Sequence, residues 1–278
     1  MTITLEKPIT FSLVGQRANN EDFVLQVNEQ SRLFIVCDGI GGWDRGEVAS
    51  QLVGESVARY FQQHPQEDLR EEYLAAALSS AYLALAGYLQ HNPLVNKLGT
   101  TLALLYLHGR GATVVHVGDS RVYHLRAGQV LFQTQDHKYV RELVADGIIT
   151  EAQALTHPRR NTLSRSVGAE SGQPLPKMDK PDITHLTDIR AGDCFFLCTD
   201  GVLEQIDPRT LEVVFTQNIS PAEKVDQILL RCQDKTRDNY SGCLVAVKSV
   251  EGAGSGQSHE LFSRTLQNNI LTQLRNME

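Results

Sequence analysis

Positive charge is in short supply in this chain: 26 Lys and Arg stand against 33 Asp and Glu, a net charge of −7. An acidic surface repels phosphate backbones and anionic headgroups over a Debye length, so neither nucleic acid nor a membrane surface is an expected partner. Long apolar runs are also missing. The most apolar stretch, AAALSSAYLALAGYL at 75–89, is too short and too polar to span lipid. The start, MTITLEKPITF, lacks a basic segment followed by a long apolar one, so the expected location is cytoplasmic. Five cysteines form no Cys-x-x-Cys pair. Cys37, Cys194, Cys198 and Cys243 lie in apolar runs and are expected to be buried, reduced thiols. Proline is scarce, 9 residues against 21 Gly, and with 41% hydrophobic and 21% charged residues this excludes a disordered or collagen-like chain. At 278 residues the length allows one large or two small domains and excludes a miniprotein held by disulfides.

Several catalytic signatures are absent as well. No Cys is followed six positions later by Arg, since those positions hold Trp43, Asp200, Glu204, Asp238 and Ser249, which removes the Cys-x5-Arg phosphatase loop. There is no Gly-x-Ser-x-Gly elbow, no His-Glu-x-x-His helix and no P-loop. DGIGGWDRG follows a strand like a dinucleotide fingerprint, but Asp44 stands at the third Gly position and Asp38 would repel a pyrophosphate.

What is present is a series of short, β-branched apolar runs bounded by Gly or Asp. Strands are expected at 9–15, 23–27, 32–37, 100–107, 112–118, 194–199 and 243–250, with a hairpin over 122–135. Apolar residues at helical spacing predict two adjacent long helices over 46–64 and 69–90, a third near 138–156 and a fourth near 221–233. Because the helices come in blocks, the pattern favours an α+β protein with largely antiparallel sheets. EGAGSGQ at 251–257 resembles a flexible linker. Beyond it, Leu261, Phe262, Leu266, Ile270, Leu271 and Leu274 form one helical stripe, so residues 1–250 are expected as one domain and 251–278 as linker and amphipathic helix.

Aspartates recur at the strand edges. Asp38, Asp119 and Asp200 follow apolar strands or their terminal Gly or Thr; Asp22 precedes a strand, and Asp238 comes shortly before another. An Asp beside a Gly is a common turn, and any single pair taken alone reads so. Five together point elsewhere, because converging carboxylates repel one another and take up protons unless a cation neutralises them. Oxygen-only ligation, with neither Cys nor paired His nearby, selects Mg²⁺ or Mn²⁺ over Zn²⁺. A Gly such as Gly39 lets its carbonyl approach an ion closely. Asp136 and His137 read as fixing the end of a strand rather than as catalytic groups.

Eight ordered motifs then carry a resemblance: GQRANNED (15–22), VCDGIGGWDRGEVAS (36–50), GTT (99–101), GDSRVY (118–123), TQDH (134–137), NTLSRSVG (161–168), GDCFFLCTDGV (192–202) and DNYS (238–241). In these the sequence resembles the metal-dependent PP2C-type (PPM) Ser/Thr protein phosphatases in their bacterial form. The resemblance implies a β-sandwich of two antiparallel sheets flanked by paired α-helices, with a flap over 138–168 and a di-metal centre at one end. It implies that Asp38 bridges two Mn²⁺ or Mg²⁺ ions, with the Gly39 carbonyl on the first and Asp200 and Asp238 on the second. Asp22 is similar to the residue that holds the first ion through water, beside Glu21, and Asp119 to the ligand of a possible third ion shared with Asp200. Arg17 matches the arginine that grips the substrate phosphate, and Arg159 and Arg160 are candidate phosphopeptide contacts on the flap.

The activity so implied is hydrolysis of phosphoserine and phosphothreonine by a metal-bound hydroxide, on phosphorylated proteins and opposing a bacterial Ser/Thr kinase. The alternative is a catalytically silent regulator that binds phosphoproteins; loss of a metal carboxylate would mark it, and none of the five is missing. A hydrolase of small phosphate esters is a third possibility. The chain departs from the family pattern at Ile40, where animal relatives place a proton-donating His, and at Thr236 and Arg237, where two glycines often precede the last motif.

Overall fold

Three strands in the first half of the chain are apolar at nearly every position: β4 (Leu33–Asp38), β6 (Leu102–His108) and β7 (Gly111–Val117). The computed structural model, which describes residues 1–65, 69–173 and 179–252, shows why: both faces of their sheet are covered. Phe34, Val36, Ala103, Leu105 and Val114 point into the centre of a sandwich. Their neighbours Ile35, Cys37, Leu102, Leu104 and Val115 point out onto helices α1 (Gly46–Gln63) and α2 (Glu71–His91). A strand with two buried faces loses the apolar–polar alternation of a half-exposed one. This first sheet has the order β11 (Asp182–Leu186), β7, β6, β4, β3 (Asp22–Val24), and every pairing is antiparallel.

The facing sheet runs β1 (Thr2–Leu5), β13 (Tyr240–Glu251), β12 (Cys194–Cys198), β8 (Arg121–Arg126), β9 (Gln129–Gln133), with β2 (Ile9–Leu13) also paired to β13. Phe195, Leu197, Cys243 and Val245 meet the first sheet, whereas Phe196, Cys198 and Leu244 pack under α5 (Asp200–Leu203), α6 (Pro208–Thr216) and α7 (Pro221–Cys232). Strands β5 (Lys97–Thr100) and β10 (Val167–Glu170) pair as a separate two-stranded ribbon, bridged to the end of β4 through Thr100 and Gly39. The result is the α+β sandwich flanked by helices that the resemblance implies.

Two local expectations change. The single helix near 138–156 is two short ones, α3 (Tyr139–Ala145) and α4 (Glu151–Thr156). Gly147 at φ +70° turns the chain between them, and a reciprocal Thr150–Gln153 capping box starts the second. The run expected as one strand over 100–107 is divided at Thr101: Thr100 pairs in the ribbon and Leu102 in the first sheet. Helix α6 had a sequence signal that went unused, Asp207 followed by Pro208, and the Asp207 side chain caps the Thr210 N–H at 2.7 Å. The tail stripe from Leu261 to Leu274 lies outside the described residues. No described helix is long and apolar enough to cross a membrane.

Candidate metal centre

The strand register brings the aspartates together. Asp22 opens β3 and Asp38 closes β4, and the two are direct antiparallel partners. The Asp38 main chain is fixed from the neighbouring strand: its N–H donates to Thr101 Oγ1 (2.9 Å), and its carbonyl accepts from Thr100 Oγ1 (2.7 Å) and the Thr101 N–H (2.9 Å). Gly39 follows in a space that excludes any larger residue, since a Cβ there would sit 2.4 Å from the Gly46 carbonyl oxygen and 2.8 Å from that of Glu21. From the other sheet, Asp200 begins α5 directly after β12, and Asp238 lies just before β13. Asp119 enters from the end of β7 after Gly118, whose φ of +104° turns the chain.

Arg17, Glu21, Asp38, Gly39, Asp119, Asp200 and Asp238 line one cleft of about 450 Å³, with Asn161 and Leu163 closing it from the flap side. Asp22 lies behind this lining. Its Oδ2 accepts from Thr199 Oγ1 at 3.0 Å, and its Oδ1 is buried with no hydrogen-bond partner. Arg17 is bound bidentately to Asp238, through Nε at 3.0 Å and Nη2 at 2.8 Å, and is otherwise largely exposed. Arg159 and Arg160 are exposed and do not line the cleft. The Arg159 guanidinium stacks over the Tyr139 ring at 3.8 Å.

The charges in the cleft oppose one another. Burial, followed by repulsion from Asp22 and Asp200, pushes the Asp38 carboxyl well above the usual carboxylate range. Burial likewise raises Asp22 and Asp200 to about 7, with Asp119 adding to the rise at Asp200. Asp119 is raised by burial but held back by Lys138, whose Nζ lies 3.0 Å from Asp119 Oδ2.

Some supporting residues escaped the sequence reading. The Asn239 side chain donates to the carbonyls of Val14 and Asn19, both at 2.8 Å, and accepts from the Glu21 N–H at 2.8 Å, so it pins the loop that carries Arg17 and Glu21 against the start of β13. The DN pair in DNYS was visible; its partners across more than 200 residues were not. His116, His137 and Asp182 also converge, their ligand atoms within 4.8 Å of one another. The Gly118 N–H donates to His137 Nδ1 at 3.1 Å, which leaves Nε2–H to donate to Asp182 at 3.0 Å. Arg165 reaches the same carboxylate at 2.8 Å, so an arginine already neutralises it. Asp136 accepts a bidentate pair from Arg121, and neither it nor His137 lines the cleft.

The family profile of protein phosphatase 2C matches residues 12–231. The chain belongs to the protein phosphatase 2C family. It is 36% identical over 195 residues to the serine/threonine protein phosphatase PstP of Mycobacterium tuberculosis, an alignment covering 70% of this chain and 36% of that protein. The chain thus spans about a third of this PP2C relative. It is 27% identical over 235 residues to the serine/threonine phosphatase stp of Listeria welshimeri, covering 82% of this chain and 90% of that one. Among solved structures, the catalytic domain of PstP in complex with two manganese ions superposes with a TM-score of 0.73 at 31% identity, over 89% of this chain and all of that one.

Proposed function

We propose that the chain is a metal-dependent protein phosphatase that hydrolyses phosphoserine and phosphothreonine in cytoplasmic proteins, opposing a Ser/Thr kinase of the same cell. The observation that carries this reading is the crowding of Asp38 and Asp200 with Asp22, Asp119 and Asp238 around one cleft, with the carboxyls of Asp22, Asp38 and Asp200 all driven toward the protonated form. Such an arrangement is unstable as a set of anions and becomes favourable when hard cations enter. Mn²⁺ or Mg²⁺ fits the donor set: carboxylate oxygens, the Gly39 carbonyl where no Cβ is tolerated, and the orphaned Asp22 Oδ1 behind. Two manganese ions in the PstP catalytic domain support the same assignment.

In this reading Asp38, Asp200, Asp238 and the Gly39 carbonyl hold two ions, with Asp22 backing the first. Bound there, divalent cations supply Lewis acidity that makes water nucleophilic near neutral pH and offsets charge on the phosphoryl oxygens. Thr100 and Thr101 hold the Asp38 main chain, so the point from which its carboxylate reaches the cleft is set by the fold. Arg17 supplies the phosphate grip. Its planar fork, now on Asp238, matches two phosphoryl oxygens equally well, and Asp238 would be the carboxylate it shares with a bound cation. Asn239 keeps Arg17 at the rim by fixing the 14–21 loop.

Incubation of the full chain with kinase-phosphorylated proteins, with Mn²⁺ and with excess chelator, tests the reading. Release of phosphate from Ser and Thr only when Mn²⁺ is present is the expected result. Equal turnover in chelator, or phosphoprotein binding without turnover in Mn²⁺, overturns it.

A further inference from the structure

Among the described residues Lys138 is the lysine ion-paired to an aspartate of the cleft lining, and that aspartate, Asp119, is the one the resemblance implies as a ligand of a third metal ion. Its Nζ lies 3.0 Å from Asp119 Oδ2 and 3.8 Å from Asp136 Oδ2, and its side chain is only 21% exposed. The backbone holds it there. Lys138 bridges to Leu163 across the base of the flap, the His137 N–H donates to the Gly118 carbonyl at 2.8 Å, and the Tyr139 N–H donates to the Thr162 carbonyl at 2.9 Å. Asp136 is committed to Arg121, so Asp119 is the carboxylate that the ammonium neutralises.

We propose that the Lys138 ammonium is the resident cation of the Asp119 corner, and that this chain therefore binds two divalent ions and not three. The inference rests on the metal-dependent reading above and concerns its stoichiometry. A divalent ion on Asp119 Oδ2 would need that oxygen at about 2.0–2.6 Å, inside the space the ammonium fills, and one on the other oxygen would still meet a positive charge fixed on the same carboxylate. Asp119 is buried and Lys138 is held beside it by the flap pairing, so the ammonium and a divalent ion would compete for the charge of a single carboxylate. A cation carried on a side chain also differs from a bound ion in one measurable way: it does not depend on the metal concentration.

The test is native mass spectrometry of the full chain across a Mn²⁺ titration into the millimolar range, with thermal melts to show that each variant is folded. Wild type is expected to saturate at two ions, and Asp119→Asn to leave that number unchanged. Lys138→Ser is expected to take up a third, weaker ion, which the double variant Lys138→Ser/Asp119→Asn loses again, while Lys138→Arg keeps two. A third ion on wild type that Asp119→Asn removes would overturn the proposal, as would two ions on a folded Lys138→Ser. Wild type with no bound Mn²⁺ would instead sink the metal-dependent reading, and the stoichiometry with it.

Discussion

Asp38 and Asp200 on one side, and Asp136 and Asp193 on the other, are the same residue at strand ends of one sandwich, yet their carboxyls are pushed in opposite directions. Asp193 is fully buried and accepts from Arg126 Nε and Nη2, His124 Nε2 and the Arg190 N–H, so although burial opposes ionisation, these donors hold its pKa below the usual value. Asp136 is held low in the same way by Arg121. Asp38 has acidic neighbours where those two have basic ones, and its pKa rises. Burial is common to both sets and so does not decide the outcome. The fixed cations do: an arginine is bonded to Asp136 and to Asp193, whereas among the described residues Arg17 and Lys138 bond Asp238 and Asp119 at the cleft and leave Asp38 and Asp200 without one. Asp119 with Lys138 stands between the two regions.

Neutralising one residue from each set should break this contrast most sharply. Asp38→Asn is expected to lower phosphatase turnover roughly a hundredfold or more, because cations at such a centre supply several kcal/mol of transition-state stabilisation. The same change should raise the melting temperature of the chelated protein by relieving repulsion. Asp193→Asn should do the reverse: Mn²⁺ binding survives, and stability falls by about 3 kcal/mol, the low end for a broken buried pair because Arg126 keeps some solvent contact. Calorimetric Mn²⁺ titration and urea unfolding of both variants separate the outcomes. An Asp38→Asn protein that is less stable without metal than wild type would contradict the account of the cleft.

The two regions should also respond oppositely to pH. Asp22 and Asp200 have folded values near 7, above the ordinary 3.8, so the folded chain binds more protons than the unfolded one between about pH 4 and 7. Without metal, their contribution to stability is greatest at the acid end of that window, falls as pH rises through it, and is level above it. Asp136 and Asp193 are depressed, so their contribution is complete above the ordinary value and fades as pH falls through their folded ones. Melting in chelator should therefore peak near pH 4 and decline toward neutrality, whereas the gain from added Mn²⁺ should grow from pH 5 to 7 as the ligands lose protons. A flat chelated profile from pH 4 to 7 would remove the repulsion from the argument.

Sequence alone could mark the aspartates without sorting them. Asp38, Asp119 and Asp200 stand at the ends of apolar strands, and that position was legible because both faces of each strand are buried. Whether a strand-end carboxylate meets an arginine or another carboxylate depends on register between distant strands, and no local pattern carries it. His124 and Arg126 find Asp193 through the pairing of Cys194 with Leu125. Lys138 finds Asp119 through the return of the flap at Leu163. The long helices α1 and α2 were legible from apolar periodicity; the division of 138–156 was hidden because Gly147 turns the chain within an otherwise helical pattern.

The smallest expected effect separates phosphate chemistry from recognition of the surrounding protein, using Arg17 at the cleft and Arg159 and Arg160 on the flap. Arg17→Ala should weaken turnover of an aryl phosphate and of a phosphopeptide alike, because both carry the group it is proposed to grip. Arg159 and Arg160 do not line the cleft, and Arg159 is occupied in a stack on Tyr139 that an exposed site values at about 0.5–1 kcal/mol. Replacing both by Ala should therefore leave the small ester nearly untouched. If their proposed role is to contact residues beside the phosphoamino acid, KM for phosphopeptides should rise several-fold with kcat preserved, which is how a lost remote contact reads out. Exposed charge contacts are each worth about 1 kcal/mol or less and are screened, so the rise should shrink between low and high salt. Equal losses on both substrates would place the flap arginines at the phosphate. No loss on either would leave Arg159 as a support for Tyr139 alone, and a small drop in melting temperature would be its only trace.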